Sequence, residues 1–93
     1  MTEATEHRRQ VRVTNKLGLH ARAATKLVQL AAKYKSEVFL EREDERVNGK
    51  SIMGVLMLTA AIGTELQVIT TGPDAAEALD AICALFAAKF GEE

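Results

Sequence analysis

His20 and Arg22 are the residues of this sequence whose types and positions could do chemistry. The stretch "NKLGLHARAATKLVQLAAKY", from Asn15 to Tyr34, reads as a strand end followed by an amphipathic helix that begins just after His20. A histidine thus stands where Ser, Thr, Asp or Asn usually caps the free helix amides. Arg22 then adds a cation at the helix end where the dipole disfavours one. Gly18 permits an unusual backbone conformation just before the helix. Ala21, Ala23 and Ala24 keep side chains small around the imidazole, and no acid in the first two turns competes for the amides. Free amides beside a guanidinium form an anion site. The sequence supplies no anion of its own there, so it is expected to arrive as a ligand or a covalent group. A phosphoryl group on the imidazole would supply it.

Other chemistries find less support. "NGKS" ends like a phosphate-binding loop, but that motif needs a glycine five residues before Gly49, and Asp44 stands there. His7, His20 and Cys83 are too widely separated to read as metal ligands, and no metal or cofactor is expected. No "GxSxG" turn marks a serine nucleophile. Nucleic-acid binding would favour exposed aromatics among basic residues, whereas Phe39, Phe86 and Phe90 fit core positions.

The chain has 93 residues, 47% of them hydrophobic and 27% charged, which supports one domain with a modest core. No apolar run approaches a membrane span, and "MTEATEHRRQ" is not a signal peptide. The single cysteine, Cys83, cannot form an internal disulfide, so a cytoplasmic location is expected. The net charge of −1 is uninformative, but its distribution is not. Residues 15–36 and 46–64 contain no acid, while carboxylates gather in "EREDE" and at Asp74, Glu77 and Asp80. If the acid-free stretches meet, they make a positive-to-apolar face suited to acidic partners or anionic groups.

The elements that must position His20 follow from periodicity. Residues 1–9 are expected to be a flexible tail and 10–91 the folded domain. "QVRVTN" alternates as a half-buried strand with Val11 and Val13 inward. Ala23, Ala24, Leu27, Val28, Leu30, Ala31 and Tyr34 form the apolar stripe of the first helix. "SEVFLERE" is a strand, "REDER" turns into a short strand ending near Val47, and Asn48-Gly49 is a break. "SIMGVLML" is a short helix with Ser51 as its N-cap, and "ELQVITT" is a strand. Asp74 and Glu77 form a capping-box pattern for a last helix with the stripe Ala75, Leu79, Ile82, Phe86 and Phe90, which Gly91 stops. Cys83 falls beside that stripe as a small hydrophobe. The order β-α-β-β-α-β-α predicts an α+β fold, an antiparallel four-stranded sheet backed on one face by three helices.

"GLHARAA" before an amphipathic helix, followed by "GKSIMGVLML", resembles HPr, the histidine-containing phosphocarrier family of the bacterial phosphotransferase system. The resemblance runs from about Gln10 to Phe90 and implies an HPr-like open-faced sandwich. It implies that enzyme I passes a phosphoryl group derived from phosphoenolpyruvate to Nδ1 of His20, and that the group moves on to the A domain of an enzyme II in sugar uptake. Arg22 would assist the phosphoryl group, with the backbone of Ala21 and Arg22 as its cradle. The chain would be a phosphotransfer intermediate and not a stand-alone enzyme. A helix end contributes about 0.3–1 kcal/mol to holding an anion, a modest amount that suits a carrier. The family usually has proline where this chain has Ala23; alanine keeps an N–H but is a good helix former.

The same resemblance implies regulation at Ser51 by an HPr kinase/phosphorylase. The partner-binding surface is expected to comprise Ala21, Lys26, Leu27, Lys50, Ile52, Met53 and Met57. Direct repulsion between phosphates on Ser51 and His20 would be weak, about 1 kcal/mol in water at ~15 Å. A dianion beside an exposed Ile-Met patch is the better account of inhibition, because it raises the cost of desolvating that patch. An NPr-like carrier of a nitrogen-linked phosphotransferase system is the nearest alternative. Further away stand a non-catalytic module that binds acidic partners and an RNA-binding α+β module.

Overall fold

Leu66, Val68 and Thr70 are buried, while on the alternate positions Gln67 and Thr71 are only partly covered and Ile69 alone is buried. This period of two builds β4 (Glu65–Thr71), an inner strand of the sheet in the computed structural model, which describes residues 5–92. β4 pairs on one side with β1 (Glu6–Arg12), Gln10 opposite Gln67. On the other side it pairs with β2 (Glu37–Arg42), Leu40 opposite Val68. A tight turn at Glu43 and Asp44 leads to β3 (Glu45–Asn48), and the sheet order is β1-β4-β2-β3 with every pair antiparallel. The helices α1 (Ala21–Ala31), α2 (Ile52–Met57) and α3 (Ala75–Ala87) supply the expected order β-α-β-β-α-β-α. No helix among the described residues is long and apolar enough to cross a membrane.

The core lies between sheet and helices. Val38, Leu40, Leu66 and Val68 meet Ala23, Ala24, Leu27 and Ala31 of α1 and Ile82 and Phe86 of α3. Leu27 is fully buried, which corrects its expected place on a partner-binding surface: it lies on the stripe that α1 turns inward. The other sheet face carries polar side chains around a buried Ile69, with Arg8 donating to Glu6, Glu41 and Gln67. Phe39 faces this side, half-buried under the Arg46 guanidinium at 5.4 Å, and not the core.

Three boundaries differ from expectation. β1 begins at Glu6, so residues 6–9 are strand and not tail; residues 1–4 lie outside the described residues. Here pairing with β4 and ion pairs such as Arg9–Asp80 replace the apolar periodicity that would have announced a strand. Asp74 occupies the α3 N-cap position, but its side chain makes no cap hydrogen bond. Its carboxylate instead accepts from the Lys35 amide, the Ser36 amide and the Ser36 hydroxyl at 3.0, 2.9 and 2.6 Å. These donors hold its carboxyl down at about 2, the Ser36 hydroxyl contributing most. Finally, α3 ends at Ala87, and Lys89 and Phe90 adopt left-handed φ values of 57° and 56°. That kink, and not a continuing helix, returns Phe90 to the core against Phe86, ring centroids 4.9 Å apart. Cys83 is half-buried, and burial pushes its thiol pKa up, as suits a small hydrophobe beside the stripe.

Candidate functional site

The loop before α1 is held by backbone contacts that place His20. Val13 and the turn before β4 exchange hydrogen bonds, Val13 N to Thr64 O at 2.9 Å and Gly63 N to Val13 O at 2.7 Å. Gly18 has φ +68°, and a Cβ there would come within 2.5 Å of the Ala60 carbonyl oxygen. The glycine is therefore required twice over, by its conformation and by the close backbone approach. Leu19 donates its amide to the same carbonyl at 2.9 Å and buries its side chain. His20 follows in extended backbone as the N-cap of α1, and its side chain makes no hydrogen bond to the helix amides. The first turn of α1 contains no acid, as the sequence indicated.

The imidazole is engaged elsewhere. Its Nε2 lies 2.7 Å from Glu92 Oε2, and the two side chains are only 27% and 11% exposed. Glu92 Oε1 accepts from Asn15 Nδ2 at 3.0 Å, and the same nitrogen donates to the Gly18 carbonyl at 2.8 Å. Asn15 and His20 together hold the Glu92 carboxyl below the usual range, Asn15 contributing most, so at neutral pH it is a carboxylate. A carboxylate can only accept. Nε2 must therefore carry the ring proton in the neutral imidazole, which leaves the lone pair on Nδ1. Sequence reasoning missed this acid. Glu92 is far from His20 in the chain, and no periodicity or motif links them.

Arg22 is exposed on the first turn of α1. With Lys16, Leu17, Lys26, Gly91 and Glu92 it lines a depression of about 380 Å³ at the same end of the molecule. Lys26, half-buried one turn further on, donates Nζ to the Phe90 carbonyl at 2.6 Å and so ties the kinked segment to α1. Lys50 donates Nζ to the Tyr34 carbonyl at 2.8 Å beyond the far end of α1. The acid-free stretches do meet, because α1 and α2 pack together, but Glu92 arrives from a third segment to join them.

Ser51 caps α2 as expected, its hydroxyl oxygen accepting from the Gly54 amide at 3.1 Å. Ile52, Met53 and Met57 are exposed, while Val55 of the same helix is buried. Leu17 and Ile62, which the sequence did not single out, are also exposed large hydrophobics. Their loops adjoin the site: Leu17 lines the depression, and Ile62 follows the Ala60–Ala61 segment that abuts Gly18.

Residues 7–88 match the family described as "PTS HPr component phosphorylation site". The chain is 51% identical over 85 residues to the phosphocarrier protein HPr of Neisseria meningitidis, covering 91% of this chain and 96% of that protein. It is 47% identical over 88 residues to the phosphocarrier protein NPr of Shewanella violacea, covering 95% and 97%. The crystal structure of HPr-C-His from Thermoanaerobacter tengcongensis superposes with a TM-score of 0.90 at 39% identity, over 94% of this chain and 98% of that one.

Proposed function

The chain belongs to the HPr family, and we propose that it is a phosphocarrier of the phosphotransferase system that accepts a phosphoryl group on Nδ1 of His20. The observation that carries this reading is the Nε2–Glu92 contact at 2.7 Å, which supports a ring proton on Nε2 and Nδ1 as the nucleophilic nitrogen. In the transfer, the Nδ1 lone pair forms a bond to the phosphorus of a phosphohistidine on enzyme I. The donor P–N bond breaks, and its electron pair returns to the donor imidazole. The reverse exchange delivers the group to the A domain of enzyme II. Such transfers depend on positioning and on stabilising the charge of the phosphoryl oxygens. The first-turn amides of Ala21 and Arg22 precede the first α1 hydrogen bond, Ala24 N to His20 O, and so are available to an anion. The Arg22 guanidinium stands on the same turn and adds a mobile positive charge.

Docking is assigned to the exposed apolar residues Ile52, Met53 and Met57 of α2, together with Leu17 and Ile62. Flexible Met side chains suit a surface that meets enzyme I, enzyme II A domains and an HPr kinase/phosphorylase in turn. Phosphorylation of Ser51 by such a kinase would put a dianion at the start of α2 beside this patch and weaken docking. The idea fails if Ser51→Asp leaves the affinities for enzyme I and enzyme II unchanged. Since relatives carry both names, HPr and NPr, the same chemistry also fits a nitrogen-linked pathway. Presenting the phosphorylated protein to enzyme II A domains of each kind separates the two.

The deciding experiment is intact mass after incubation with phosphoenolpyruvate and enzyme I. Wild type is expected to gain one acid-labile phosphoryl adduct and His20→Ala none. An adduct that survives in His20→Ala would move the site elsewhere. No adduct on wild type, with a cognate enzyme I shown to be active, would favour a non-catalytic binding module.

A further inference from the structure

We propose that Glu92 and Asn15 are positioning residues for this transfer: the Glu92 carboxylate holds the proton on Nε2 of His20, and Asn15 holds the carboxylate. The proposal rests on the reading of His20 as the phosphoryl carrier. Three features on separate segments converge on it. Glu92 bridges the two side chains, Oε2 to His20 Nε2 at 2.7 Å and Oε1 to Asn15 Nδ2 at 3.0 Å. Asn15 is itself fully buried, and its Oδ1 is the only buried side-chain polar atom without a hydrogen-bond partner among the described residues.

That orphan is informative. A flipped amide would press Oδ1 against two acceptors, the Gly18 carbonyl and the Glu92 carboxylate. The fold therefore tolerates one unmet acceptor, which is costly, to keep the amide hydrogens on Glu92 and Gly18. The third feature is the delivery of Glu92. Left-handed Lys89 and Phe90 break away from α3, Phe90 anchors in the core, and its carbonyl accepts from Lys26. Glu92 is thus brought to the imidazole by an anchored segment.

Its place on the ring defines its role. Glu92 meets the Nε2 edge, away from Nδ1, so it leaves the attacking nitrogen open. As Nδ1 bonds to phosphorus, the ring becomes positively charged, and the adjacent carboxylate meets that charge through Nε2–H. The proton stays on Nε2 throughout. When the phosphoryl group departs, the bonding pair returns to Nδ1 and the same tautomer is restored for the next cycle.

Glu92→Gln tests this, because it removes the charge and keeps the shape. The readouts are the ring-nitrogen NMR shifts of 15N-labelled His20 and the initial rate of phosphoryl uptake from phosphorylated enzyme I. Replacing a charge-assisted hydrogen bond by a neutral one is expected to slow uptake about tenfold. The two ring-nitrogen resonances should also move towards each other as the tautomers mix, with thermal unfolding unchanged. An unchanged or faster rate overturns the proposal, the faster rate marking Glu92 as a cover over the ring. A slower rate with unchanged ring shifts overturns it too, since the loss would then trace to docking. Phosphoryl uptake by His20→Ala run alongside would instead sink the carrier reading itself, so the two failures are distinguishable.

Discussion

The starts of α1 and α3 carry His20 and Asp74 at the same cap position, and neither side chain bonds to the amides of its own helix. They differ in how completely they are satisfied. Asp74 accepts three hydrogen bonds from residues 35 and 36, and its own amide donates to the Ser36 hydroxyl at 3.0 Å, so the connection between α1 and β2 is locked to the start of α3. The His20 side chain has Glu92 as its one hydrogen-bond partner among the described residues, through one ring nitrogen. A group satisfied on every side works as a joint. A group fixed on one edge and open on the other keeps a lone pair for chemistry. The start of α2 lies between these cases, because Ser51 caps its own helix and still offers a partly exposed hydroxyl.

This contrast can be broken at each end. The largest loss of stability is expected from Gly18→Ala in the loop that sets His20. A side chain there adopts left-handed φ and meets the Ala60 carbonyl, which should cost about 3 kcal/mol in chemical denaturation. Phosphoryl uptake should fall with it, because the imidazole loses its placement.

Asp74→Asn should do the reverse, lowering the melting temperature while leaving uptake intact. Its pH dependence has a definite sign. The folded-state value of about 2 lies below the ordinary 3.8, so the joint stabilises the fold above that ordinary value. Its contribution drains away as pH falls through 3.8 towards about 2. The stability gap between wild type and Asp74→Asn should therefore narrow in acid, as urea unfolding at neutral and low pH would show. A gap that widens would mean the carboxylate is not held by these donors.

The smallest effect is expected from Ser51→Ala, about 1 kcal/mol for the lost cap, with uptake from enzyme I unchanged. A larger loss would show that the hydroxyl supports more than α2.

Much of this is legible in the sequence. The run "ELQVITT" marked β4, and Leu27 with its neighbouring alanines marked the buried stripe of α1. The absence of an acid after His20 marked an unusual helix start, because local patterns report local structure directly. Leu27 is expected both on that stripe and on the partner surface, and its full burial favours the stripe. The beginning of β1 was hidden because its residues are stabilised by partners on β4, β2 and α3, which no local pattern encodes. Asp74 was read as a cap because its spacing from Glu77 fits one, while the competing donors at Lys35 and Ser36 are distant in sequence.

By itself, then, the sequence determined the family, the order of the elements and the candidacy of His20, since each follows from residue types at fixed short spacings. Tertiary structure alone decided which ring nitrogen of His20 faces a carboxylate. That choice depends on bringing Asn15, His20 and Glu92 within hydrogen-bond distance, and only the packing of Phe90 and the anchoring of its carbonyl by Lys26 bring the last of them there.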